Sequence, residues 1–114
     1  MSTNKQITST VTDAGKLEIA ITESERPVPG DDEVLIQVEA TPINPSDLGL
    51  LIGPGDINTL KAEDSKIIMD VPEAIMGAMK PRLNKPMPVG NEGSGVVIEA
   101  GANAQELLGK VVSV

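Results

Sequence analysis

Two short segments carry the residues whose types and spacing invite a chemical reading. One is Asn44-Pro45-Ser46-Asp47, where a carboxamide and a carboxylate stand three positions apart around a proline. The other is Gly90-Asn91-Glu92-Gly93-Ser94-Gly95, a glycine-dense turn with a carboxylate inside it. The rest of the composition narrows the chemistry. There are no His and no Cys among the 114 residues. A Cys/His zinc site is therefore ruled out within this chain, and so is Ser-His-Asp or Cys-His nucleophilic catalysis. Acid–base work falls to Asp, Glu or Lys, or to residues of another domain. No thiol exists to form a disulfide.

Each segment also has a local structural reading. Asn44 suits a helix N-cap, Pro45 the first helical position and Asp47 the third, so the spacing predicts a short helix over 45–51 with the two polar residues as its caps. Gly53-Pro54-Gly55 closes that helix. The glycine turn is not a dinucleotide loop. Its spacing departs from Gly-x-Gly-x-x-Gly, and it precedes a strand where that motif must follow one and open a helix. The expectation there is tight turning and close backbone packing, with Glu92 a buried partner for an amide or a cation.

The elements that position these segments read mostly as strands. Ile7, Ser9 and Val11 alternate onto one face, and Leu17, Ile19 and Ile21 do the same, with Asp13-Ala14-Gly15 as the turn of a hairpin. Residues 23–32 form a connector. Val34, Ile36, Val38 and Ala40 define the strongest strand. Residues 56–66 are polar and predict a mobile excursion. Asp70-Val71-Pro72-Glu73 reads as a second helix start, with Ile75, Met76 and Met79 on its core face and Pro81 as its stop. Pro86–Val89 is extended, 96–100 is a strand, 105–108 a helical turn, and 110–114 a last strand. The whole predicts one domain over 1–114, mainly β with short helices, as a mostly antiparallel, partly open barrel.

Further classes fall away. The chain has no Phe, Tyr or Trp, so the core is aliphatic and no base or sugar can stack on an aromatic ring. A formal net charge of −8 repels phosphate backbones and anionic lipids, which argues against nucleic acid and membrane partners and serves solubility. No run approaches the about 20 apolar residues of a membrane span, and the first residues lack a secretory pattern, so the expected location is the cytoplasm. The apolar end at Val111–Val114 reads as the truncation point of a longer protein.

In order and spacing, Asp32–Val38, Ile43–Asp47, Met87–Val97 and Gly109–Val112 together resemble the medium-chain dehydrogenase/reductase superfamily, and most closely its zinc-independent quinone oxidoreductase and enoyl reductase branch. That resemblance spans roughly residues 15–114. It implies a GroES-like fold for this part, a following Rossmann domain that binds NADPH or NADH, and an active site in the cleft between them. It implies hydride transfer to a quinone, enone or other carbonyl compound. It places Asn44 and Asp47 as catalytic positions, and Asn44 and Glu92 near the cofactor. In zinc-dependent relatives a His occupies the turn that here reads Gly90-Asn91-Glu92, so no metal ligand is expected. The resemblance further implies a homodimeric parent, NADP as cofactor of that parent, and an inactive chain without the nucleotide domain. The enoyl reductase Tyr has no counterpart in residues 53–85, which puts that activity in doubt. The rival expectation is a free-standing GroES-like barrel acting as a protein-binding or assembly module.

Overall fold

The computed structural model describes residues 3–114. Its strands fall into two sheets, neither closed on itself, and all named strand pairs are antiparallel. Two compact units follow the same division. One comprises residues 5–24 and 44–89, the other 3–4, 25–43 and 90–114.

The first unit holds β1 (Thr3–Val11), β2 (Lys16–Glu25), α1 (Pro45–Leu51), β4 (Asp56–Glu63), β5 (Lys66–Asp70), α2 (Glu73–Met76), a 3-10 helix Gly77–Arg82 and β6 (Met87–Pro88). The sheet order is β4-β5-β2-β1-β6. The β1–β2 hairpin closes as alternation predicts. Thr12 donates its N–H to Lys16 O at 2.8 Å, and Gly15 takes the left-handed conformation in the turn. Alternation also places Ser9, Val11 and Leu17 on the buried face. Ile7 and Ile21 lie on the same predicted stripe but stay exposed, because burial is confined to one end of the sheet. There Val11, Leu17, Met69 and Val71 form the core, and Ile19, Ile52, Ile75, Met76, Met79 and Leu83 pack against it. With no ring to fill space, flexible Met side chains do that work.

Three expectations need correction in this unit. Residues 56–66 are not a mobile excursion. They make β4 and the start of β5, joined by a two-residue turn at Asp64-Ser65 in which Asp64 adopts φ 48. Thr59 ties the hairpin internally: its hydroxyl donates to Asp56 O at 2.7 Å and accepts the Asp70 N–H at 2.8 Å. Nor does Asp70 cap a helix. It ends β5, paired with Lys16, and Lys16 and Asp70 also form an ion pair. Pro72 takes the cap position of α2, and Pro81 lies inside the 3-10 helix instead of stopping it. The Met76/Met79 stripe faces and packs against the core, as helical spacing predicted.

The second unit holds β3 (Val34–Ala40), β7 (Ser94–Ala100), a 3-10 helix Gln105–Leu107 and β8 (Val111–Ser113), in the order β3-β7-β8. Register breaks between Leu35 and Ile36 and between Val38 and Ala40 interrupt the period-two pattern of β3, and Val38 ends up exposed. Val97 is the buried centre of β7. Gly95 permits the close β3–β7 approach, since a Cβ there would sit 2.0 Å from Gln37 O. Asn103 donates to Asp31 O through its backbone and to Asp32 Oδ1 through its side chain, tying the loop after β7 to the entry of β3. Arg26 pairs with Glu99 at 2.6 Å.

Candidate functional site

Asn44 lies just ahead of α1 with extended backbone (φ −95, ψ 149), the conformation that a helix N-cap requires. Pro45, with φ preset near the helical value, begins the helix. Asp47 sits at the third helical position, and its carboxylate accepts the Asn44 backbone N–H at 2.9 Å. In return the Asn44 side chain accepts the Asp47 backbone N–H, completing a reciprocal capping box. Asp47 is buried, only 7% exposed. Asn44 is partly buried.

The arrangement has a chemical consequence. The capping box engages the carboxamide through its oxygen. The donor end of an Asn side chain is its NH2 group, a different face of the same planar unit. Asp47 is committed as an acceptor to the backbone that carries Asn44. It holds the backbone from which the Asn44 side chain projects.

The C-terminal end of α1 is closed as completely. Leu48 O and Gly49 O accept N–H groups of Ile52 and Gly53. Leu50 O and Leu51 O accept the hydroxyl of Ser9 at 3.2 and 3.0 Å. Arg82 Nη1 adds a bond to Leu50 O at 3.3 Å, while Nη2 reaches Ser9 O at 3.3 Å and Ser9 Oγ at 3.1 Å. Ser9 is fully buried on β1. Burial disfavours the charged guanidinium and holds the Arg82 pKa below its ordinary value. Nothing local in the sequence marks Ser9 or Arg82, which stand 73 residues apart.

The glycine turn lies in the other unit. Gly90 is left-handed at φ 100, which explains a glycine at that turn. The backbone then runs straight into β7, with no helix behind it, so the turn is not a pyrophosphate cradle. Glu92 is exposed, which corrects the expectation that it is buried. Among the described residues, no group of three or more His, Cys, Asp or Glu could hold a metal ion, and no helix is long and apolar enough to cross a membrane.

Residues 30–114 match the alcohol dehydrogenase GroES-like domain, well over half of the chain. The chain belongs to that family. No curated protein matches it. The matched stretch takes in β3, α1, the β4–β5 hairpin, the glycine turn and β7, so both segments singled out from the sequence lie within the alcohol dehydrogenase GroES-like domain. The dehydrogenase character of the chain rests on this match, and its mainly β architecture with short helices agrees with it.

Proposed function

We propose that this domain is the substrate-side part of a zinc-independent, NADPH-dependent oxidoreductase acting on quinones, enones or related carbonyl compounds. The observation that carries the reading is a dehydrogenase-family domain with neither His nor Cys, in which a conformationally locked carboxamide, Asn44, begins a helix. A Lewis-acid zinc held by imidazole and thiolate is outside the means of such a chain. Charge developing on a substrate oxygen then has to be met by hydrogen-bond donors.

The glycine turn runs into β7 with no helix behind it, so it lacks the helix N-terminus that would cradle a pyrophosphate. The reading therefore assigns nucleotide binding to a separate domain. When bound, NADPH supplies a hydride. The part of this chain is to hold the substrate oxygen: Asn44 donates a hydrogen bond to it, and Asp47 fixes the backbone from which Asn44 projects. Glu92 belongs to the proposed cofactor side of the cleft.

Asn44→Asp separates this role from capping. Aspartate caps a helix about as well as asparagine, yet as a carboxylate it has no N–H to donate. In the protein assembled with its nucleotide domain, the substitution keeps the urea midpoint and lowers kcat for quinone or enone reduction by about 10²–10³, the usual effect of removing one oxyanion donor. Unchanged kcat overturns the assignment. The 114-residue chain alone is expected to show no NADPH binding by titration; tight binding would overturn the division of labour.

A further inference from the structure

We propose that Arg82, through Ser9, is a positioning residue for α1 and hence for the candidate donor Asn44. The inference rests on the functional reading above for its consequence, but on distances alone for its geometry. A seven-residue helix has too few internal hydrogen bonds to stand by itself. Its register must be imposed from outside. At the N-terminal end the capping box is internal to the helix: Asn44 and Asp47 hold each other and nothing more is needed to explain those bonds. At the C-terminal end the contacts are long-range. Ser9 belongs to β1 and Arg82 to the 3-10 helix Gly77–Arg82, and both converge on the last carbonyls of α1.

The bonds form a directed relay. Arg82 Nη2 donates to Ser9 Oγ, and the single Ser9 hydroxyl proton is in turn shared between the Leu50 and Leu51 carbonyls. A second guanidinium nitrogen reaches Leu50 O directly. A planar fork reads two acceptors in fixed relative positions, which a lysine ammonium cannot do. The fork thus measures the distance between β1 and the end of α1. It does so at a cost: Arg82 Nε is buried without a partner, and Arg82 takes part in none of the ion pairs Lys5–Glu23, Lys16–Asp70, Arg26–Glu99 and Lys66–Glu18. A residue that served packing alone would carry no such cost. An apolar side chain would spare it but remove the guanidinium bonds and leave the Leu50 and Leu51 carbonyls to Ser9.

The test uses the ¹⁵N-labelled 114-residue chain and reads hydrogen exchange of the α1 amides from Gly49 to Ile52, together with the side-chain NH2 resonances of Asn44. Variants are Arg82→Met, Arg82→Lys and Ser9→Ala. Val97→Ala, a core truncation in the other sheet, is the control for a general loss of stability. Arg82→Met and Ser9→Ala are expected to speed α1 exchange at least tenfold beyond the control at matched global stability, and to shift or broaden the Asn44 NH2 signals. Arg82→Lys, which keeps charge but not the fork, falls between wild type and Arg82→Met. Should Arg82→Met fail to fold, Arg82→Lys and Ser9→Ala make the same comparison. Exchange no faster than in Val97→Ala, or Asn44 signals that stay in place, overturns the proposal. Loosening in Ser9→Ala without loosening in the arginine variants overturns the role of Arg82. These outcomes are independent of Asn44 chemistry: if Asn44→Asp leaves kcat intact while Arg82→Met loosens α1, the functional reading fails and the clamp stands.

Discussion

The carboxylate of Asp47 accepts the backbone N–H of Asn44 at 2.9 Å, and the Asn44 side chain answers at the Asp47 backbone. The two residues with the strongest claim to chemistry are therefore each other's structural support. Loss of activity on truncating either one to alanine is ambiguous by itself, since it removes a cap along with any donor. This coupling decides how each must be probed.

Asp47→Ala removes the acceptor of the Asn44 N–H and leaves that donor in a partly buried site. The loss of a cap costs about 1 kcal/mol, rising to about 2 where the orphaned group is desolvated. Urea unfolding is expected to show a lower midpoint with an unchanged slope. Asp47→Asn, which retains an acceptor oxygen, recovers most of the loss. An unchanged midpoint in Asp47→Ala would show that the capping bond contributes nothing net.

The core makes a second prediction. Leu17 is fully buried between Val11 and Met69, and among the described residues there is no aromatic ring to relax into a hole there. Leu17→Ala is expected to cost about 2–5 kcal/mol, the range for buried Leu truncations. Against a total stability of about 5–15 kcal/mol for a domain, that loss pushes the chain toward unfolding at 37 °C. Leu17→Met, nearly equal in volume, costs less than about 1.5 kcal/mol. Thermal unfolding of the pair checks both.

Gly95 tests the second sheet in the same way. A methyl group there meets Gln37 O at 2.0 Å and Val38 Cα at 2.9 Å, both backbone atoms that cannot rotate aside. Gly95→Ala must push β3 away from β7. A loss of about 1–3 kcal/mol is expected from the overlap alone, as for other overpacked sites. Hydrogen exchange is expected to quicken at β3 and β7 amides such as Val38 and Val96, while β2 and β5 keep their protection. Uniform quickening in both sheets would contradict the local account.

Much of this architecture was legible because it is encoded locally. The bounds of α1 follow from Asn44-Pro45 at one end and Gly53-Pro54 at the other, and β3 follows from four alternating apolar residues. The β4–β5 hairpin was hidden for an equally physical reason. The register of β4 against β5 breaks between Asp56 and Lys61, so Ile57 and Leu60 fall out of period two and the segment reads as a loop. Asp70 misled because a strand end next to a proline has the same residue types as a helix start. Ser9 and Arg82 could not have been found at all. Their significance lies in meeting the end of α1 from two distant segments, and no window of sequence contains all three.

Metal dependence gives the last prediction, and here magnitude decides. A structural or catalytic zinc bound at a hundredfold excess over its Kd would stabilise the folded chain by about 2.7 kcal/mol. In a domain of this size such a term moves Tm by more than about 5 °C, well above the error of a melting experiment. The chain offers only oxygen ligands, and the described residues bring no three carboxylates together. Dialysis against EDTA, or addition of excess zinc, is therefore expected to leave Tm unchanged within about 1 °C, since without binding the linkage term vanishes. Elemental analysis of the purified chain is expected to find zinc far below one equivalent. Stoichiometric zinc together with a fall in Tm on chelation would mean that carboxylates assemble a site, and the reliance on Asn44 as the oxygen-stabilising donor would have to be abandoned.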